Sequence, residues 1–325
     1  MNRWAIALAA GALALAFGPR PAKAQPAVIY ELGGKADRSF NQAAFQGAEA
    51  WKRQSGKPYL EFEIANAAQR EQAARRFAER GAQPIVGIGF PQASAIAKVA
   101  AEFPRLSFAI VDAVVEAPNV QSFVYREHEG AFLVGILAAM ASKSGTIGFV
   151  GGMDIPLVRK FQCGYEQGAR HAVPTIRTLA AMTGSTPAAW TDPARGAELA
   201  KAQMAQGADV IFAAAGTTGL GVMQAAKDGA RLSIGVDSNQ NYLHPGSVLT
   251  SLVKRVDLAV QSAFNGVKPG VSALGLKEGA LDVAMDEHNA RLVSPAMRAK
   301  VDSARQDIIA GRLKVVDFTV SNACR

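Results

Sequence analysis

Cysteine, histidine and aromatic residues are all scarce in this 325-residue chain, and each shortage excludes something. Four histidines (His128, His171, His244 and His288) fall in no metal-ligand spacing, so no zinc motif is present. No Gly-x-Ser-x-Gly elbow offers a serine nucleophile, and no base is placed to activate a cysteine. The glycine-rich run 216–221 lacks both the Gly-Lys-Ser/Thr ending of a P-loop and the Gly-x-Gly-x-x-Gly spacing of a dinucleotide turn. No cofactor pattern is left. Lysine and arginine form no run, which removes the electrostatic footprint of a nucleic-acid binder. No cysteine precedes Cys163, so no lipid can be carried on a thiol near the N-terminus and no membrane anchor is expected there.

Long apolar runs are also few. Residues 4–17 form one, behind Arg3, and it is too short to span a bilayer. Pro19 and Pro21 break it, and Ala22-Lys23-Ala24 has the small-x-small form that signal peptidase reads. Residues 1–24 therefore read as a cleavable leader, with Gln25 as the mature start. Beyond it the longest apolar stretch is 130–141, closed by Glu129 and Lys143, which is a core helix by length. The formal charge is +8; without Arg3, Arg20 and Lys23 it is 32 basic against 27 acidic residues, or +5. An exported chain meets an oxidising compartment, where Cys163 and Cys324 either pair or stay as separate thiols; spacing alone leaves both open.

What the chain does have is alternation. Strand-like runs at 27–32, 59–65, 84–90, 106–112, 120–125, 146–150, 176–181, 210–214, 232–237 and 248–253 alternate with helical segments. The helices are expected at 39–54, 69–80, 93–102, 130–142, 156–172, 193–206, 219–227 and 256–265. This order implies βαβ units and α/β architecture, with parallel sheets covered on both faces. Ser39-x-x-Gln42 reads as a capping box, with Ala43, Ala44, Gly47, Ala48 and Trp51 on one buried face. Asp192-Pro193 reads as a cap followed by a first-turn proline. Strand, Gly-Gly, polar loop and helix occur at 28–47 and again at 147–168, which implies two similar lobes. Ligands of open parallel sheets bind beyond the carboxyl ends of the strands, so two such lobes would share one cleft.

Three acidic residues stand at predicted strand ends: Asp37, Asp112 and Asp237. A carboxylate accepts two hydroxyl hydrogen bonds, as a sugar diol requires; turn-making and helix capping are the competing roles. Asn41 adds a donor and an acceptor, and Phe40 a stacking face. Gly216 lets backbone approach a ligand, and Lys254 is either a donor to the cleft or a solvated lysine. His128, between Glu127 and Glu129, reads as part of a solvated helix start.

Several segments resemble the basic membrane protein (BMP) family, the ABC-transporter substrate-binding proteins that include the purine nucleoside receptor of spirochaetes. They are Asp37-Arg38-Ser39-Phe40-Asn41-Gln42, Glu129-Gly130-Ala131-Phe132-Leu133-Val134-Gly135, residues 148–156 and 213–219, Gly235-Val236-Asp237-Ser238 and residues 250–255. The resemblance runs from about Val28 to Val320. It implies a type I periplasmic binding fold, two Rossmann-like lobes joined by crossings near Val124, Thr250 and Leu276. One lobe would hold 25–124 with about 251–276, the other 125–250 with about 277–325. It implies a purine nucleoside or base stacked on aromatic rings, with Phe40, Phe90 and Phe212 as candidates. Ribose hydroxyls would be held by carboxylates; by motif, Asp37 and Asn41 match the first-loop polar contacts, Asp112 the acidic strand end, and Asp237 and Lys254 the later contacts. It further implies a monomeric periplasmic receptor that hands its ligand to a permease and is no enzyme. An exported nucleoside-processing enzyme and a ligand-presenting sensor are the alternatives. Two departures are plain: Gln25 replaces the lipidated cysteine of many members, and Ala36 stands where relatives often carry a polar residue.

Overall fold

The computed structural model describes residues 24–324. The leader expected over 1–24 therefore lies, except for Ala24, outside the described residues. Twelve strands and ten α-helices follow. In the first stretch, β1 (Ala27–Tyr30), α1 (Phe40–Ser55), β2 (Leu60–Glu63), α2 (Gln69–Glu79), β3 (Ile85–Ile88), α3 (Ala93–Glu102), β4 (Phe108–Val111) and β5 (Val120–Tyr125) form a parallel sheet with its covering helices. Next come α4 (Glu127–Ala141), β6 (Thr146–Met153), α5 (Pro156–Ala172), β7 (Arg177–Gly184), α6 (Pro193–Ala205), β8 (Val210–Ala214), α7 (Thr218–Asp228), β9 (Leu232–Asp237) and β10 (Val248–Lys254). The chain closes with α8 (Val256–Asn265), β11 (Gly270–Leu274), β12 (Leu281–Val283), α9 (Pro295–Ile309) and α10 (Phe318–Ser321).

The strands form two sheets in matching order, β11-β5-β4-β3-β1-β2 and β12-β10-β9-β8-β6-β7. Among the described residues only the β10–β12 pairing is antiparallel. The strands of the middle are short apolar runs because both faces are covered, as β1, β3, β4 and β8 show by their complete burial. The chain passes from one sheet to the other after β5, after β10 and after β11. The passage anticipated near Thr250 falls later, since β10 stays in register with β9 and β12 through Val253 and Lys254. The crossings lie side by side. Arg126 N–H donates to Leu274 O (2.7 Å), Arg255 N–H to Ala280 O (2.9 Å), and Tyr125 Oη to Arg255 O (3.1 Å).

Boundaries shifted where tertiary packing decides. α4 begins at Glu127 rather than 130, and His128 is buried instead of solvated, because the helix is enclosed by its neighbours along all but its last turn. The Asp192 cap forms as read, its carboxylate accepting from Arg195 N–H (2.9 Å). β11 and β12 went unread because they are short edge strands; β11 is largely exposed and carries no apolar run.

The repeated opening unit has a packing cause. Gly47 on α1 lies against the backbone of Asp257 on α8, and Gly164 on α5 against the backbone of His128 on α4. Asp257 follows the last residue of β10 by three positions, and His128 follows the last of β5 by three. Gly164 is thus the counterpart of Gly47, one turn before the Gly168 of the sequence echo. In each lobe two helices touch backbone to backbone, which only glycine permits. Gly164→Ala is expected to cost about 1–3 kcal/mol, because the new methyl meets main chain that cannot rotate aside. Urea unfolding measures it, and an unchanged midpoint would refute the account.

Candidate functional site

The carboxyl ends of both sheets face one another across a cavity of about 750 Å³, part of it open to solvent. β1 delivers the first loop, and Asp37 organises it. Its Oδ1 accepts from Ser39 N–H (2.8 Å) and Gln42 N–H (3.0 Å). Its Oδ2 accepts from Asn41 N–H (2.9 Å) and from Asn41 Nδ2 (3.0 Å). Asp37, not Ser39, is therefore the cap of α1. The capping box does not form because Ser39 Oγ crosses the cleft to donate to Asp237 (2.6 Å). Asn41 Oδ1 in turn accepts from Glu31 N–H (2.9 Å). Burial raises the Asp37 carboxyl above its ordinary value, while these donors pull it back.

Asp112 follows β4 and Asp237 ends β9, equivalent places in the two sheets. Both adopt left-handed backbone, φ +67° and +64°, a conformation costly to residues other than glycine. Lys254, the last residue of β10, lies at the junction. Its Nζ donates to Asp112 Oδ1 and Oδ2 (both 2.7 Å) and to Glu127 Oε1 (2.9 Å). Glu127 Oε2 pairs with Lys160 Nζ (3.0 Å), which also donates to Tyr125 O (2.9 Å). Lys254 is 2% exposed and Glu127 fully buried. The rings of Tyr125, Phe40 and Phe161 stand 4.7, 5.3 and 5.8 Å from the ammonium, so their faces replace part of its lost hydration.

This cluster sets the local acid–base behaviour. Burial works against the charge on Lys254, but Asp112, Glu127 and Asp237 outweigh it and keep the lysine protonated. Burial likewise pushes Glu127 up and is overcome by Lys254 and Lys160, which hold it below its usual range. Asp112 stays raised by its desolvation despite the pull of Lys254. Asp237 is pushed up to about 7, first by burial, against the pull of Lys254 and Ser39. Between its ordinary 3.8 and about 7 the folded protein holds a proton there that the unfolded chain has released. Stability from this group is thus present at acid pH and declines as pH rises through that window, by at most about 1.4 kcal/mol per pH unit. Asp237→Asn is expected to flatten the profile of unfolding free energy between pH 4 and 7. An identical slope in the variant would remove Asp237 as its source.

The walls are aromatic. Phe40 rests against Gly89, and Phe90 and Pro91 continue that side. From the second lobe come Leu157, Val158 and Phe161 of α5, with Trp190, which sits against Gly216 between β7 and α6. The structure thus gathers Asp37, Phe40, Asn41, Phe90, Asp112, Gly216, Asp237 and Lys254 in one cavity. Phe212 is not among them. It is fully buried at the middle of β8, 5.6 Å from Phe149 and 5.4 Å from Tyr165 between ring centroids, on the side of the sheet that packs against α5. Sequence reading missed Trp190, Phe161 and Glu127. Trp190 offered one signal, a tryptophan in a polar loop just before a capped helix.

Two matched parallel sheets closing on an aromatic, carboxylate-lined cleft define a two-lobed solute-binding protein of the type I periplasmic binding fold. A family described as PnrA-like ABC transporter substrate-binding proteins matches residues 25–317. The chain belongs to that family, the basic membrane proteins. Among its relatives is the ABC transporter nucleoside-binding protein BmpA of Lactococcus lactis, 30% identical over 317 residues that cover 89% of this chain and 88% of that protein. An uncharacterized lipoprotein of Pyrococcus furiosus is 34% identical over 80% of this chain and 69% of its own. The crystal structure of an ABC transporter solute-binding protein from Aeropyrum pernix superposes with a TM-score of 0.82 at 28% identity, covering 90% of this chain and 93% of that one.

Proposed function

We propose that this chain is an exported receptor that binds a purine nucleoside or nucleobase between its lobes and delivers it unchanged to an ABC permease. The observation that carries the reading is the placement of Phe40 and Trp190 on opposite lobes of a cavity that Asp112 and the buried Asp237 and Lys254 also line. A flat base fits between two rings, and each stacked face contributes about 1–3 kcal/mol. Sugar hydroxyls suit the carboxylates, which accept, and the lysine, which donates. A ligand touching both lobes favours the arrangement in which they meet, and its differential affinity drives closure. The nucleoside-binding relative and the family support this, and so does the leader-like N-terminus, which directs the chain to the periplasm. None of the helices among the described residues is long and apolar enough to cross a membrane.

Calorimetry of the mature chain with adenosine, guanosine, inosine, their bases, pyrimidine nucleosides and free ribose tests it. Micromolar or tighter binding confined to purines is expected, with the nucleoside recovered intact by chromatography. Silence across the purines, or release of free base, would overturn the reading.

A further inference from the structure

The C-terminal end of the chain is strapped to α5 by residues on one face of that helix. Lys160, Cys163 and Gln167 lie at i, i+3 and i+7. Gln167 Nε2 donates to Val316 O (3.0 Å), and Val316 N–H donates to Gln167 Oε1 (2.8 Å). Cys163 is joined to Cys324 by a disulfide, with Cα atoms 4.8 Å apart, which resolves the two readings left open above. Between these two ties lies Asp317, whose Oδ2 stands 3.9 Å from Lys160 Nζ and 3.6 Å from His128 Nδ1. The charges therefore alternate in an unbroken row from strap to cleft: Asp317, Lys160, Glu127, Lys254, Asp112, each within 3.9 Å of the next.

We infer that the strap is a redox-governed latch on the ligand site, resting on the proposed nucleoside reading for its ligand: with the Cys163–Cys324 bond intact, Asp317 takes a share of Lys160, and Glu127 divides its charge between Lys160 and Lys254. Once the strap leaves, Lys160 turns wholly to Glu127. Glu127 then holds Lys254 less, and Lys254 commits more of its charge to Asp112, both of whose oxygens it already contacts at 2.7 Å, so that carboxylate yields less readily to a ligand hydroxyl. Affinity falls. The reductant is a dithiol or a dithiol protein. Its thiolate attacks Cys324 Sγ, which is half-buried, whereas Cys163 is fully enclosed. The S–S bond breaks, its electron pair leaves on Cys163 Sγ, and that sulfur takes up a proton. The second thiol then displaces Cys324 from the mixed disulfide. Cys324 leaves as a thiol, and the reductant ends as a disulfide, two electrons having passed to the protein.

The test titrates adenosine and guanosine into the oxidised mature chain, the same chain reduced by dithiothreitol, Cys324→Ser, and Asp317→Asn with the disulfide intact. Hydrogen exchange of Val316, Arg126 and Arg255 amides is followed in parallel. Reduction and Cys324→Ser are expected to raise Kd about fivefold and to expose the Val316 amide, a coupling of ordinary size. Asp317→Asn is expected to raise Kd similarly while the strap stays docked. Equal Kd values in the oxidised and reduced chains overturn the latch, whether or not the strap is released. If the oxidised chain binds no purine at all, the proposed function fails. The latch is then judged by exchange at Arg126 and Arg255, which quickens on reduction if it acts and stays unchanged if it does not.

Discussion

Lys254→Met is expected to remove about 3–5 kcal/mol of stability, the cost of leaving buried carboxylates without their partner. Among the described residues the lysine is the one cation in contact with Asp112, and it shares Glu127 only with Lys160. Methionine fills the space and satisfies none of the three carboxylate oxygens that Nζ serves. Urea unfolding reads the loss. Adding Asp112→Asn to the same chain is expected to recover part of it, because the orphaned charge disappears with its partner. A single variant within 1 kcal/mol of the parent by the same unfolding assay would show that the cluster contributes little to holding the lobes together. On the proposed function the variant also loses nucleoside binding, since a donor lining the cavity is gone.

The second large effect belongs to the rings. Phe40→Ala and Trp190→Ala are each expected to weaken purine nucleoside binding by roughly fivefold to 150-fold, the equivalent of one lost stacking face. Trp190→Phe keeps a face and is expected to retain most of the affinity. Phe40→Ala should also lower stability, because that ring covers the Lys254 ammonium, whereas Trp190 makes no such contact with it. Phe212→Leu serves as the comparison. Its ring is in the core, so the substitution should disturb folding and leave affinity roughly unchanged. Calorimetry on the four variants decides the matter, and a loss of affinity in Phe212→Leu alone would reverse the assignment.

The two faces of β8 show what could and could not be read in advance. Val210–Ala214 was recognisable as a strand because it is an unbroken apolar run. The same property hid which way Phe212 points, since a strand buried on both sides has no polar alternation to mark its outer face. Asp112 and Asp237 were legible as strand-end acids, and their left-handed backbone explains why short polar residues stand there. Lys254 was legible only as one of two alternatives, because burial of a lysine depends on partners far away in the chain. Glu127 was not legible. Flanked by Arg126, His128 and Glu129, it looks like any charged helix start, and only the return of β10 beside it makes it a buried counter-ion. Trp190 depended on where an irregular loop comes to rest, which no local pattern encodes.

Tyr125 and Lys254 are the last residues of two of the three strands from which the chain crosses between lobes. On the proposed function, the charges that meet the ligand thus sit almost at the fulcrum of the molecule. A lever loaded beside its pivot moves little there and far at its ends. Rearrangements of a fraction of an ångström around Lys254 would be magnified at the outer rims, where a membrane partner can sense whether the receptor is loaded.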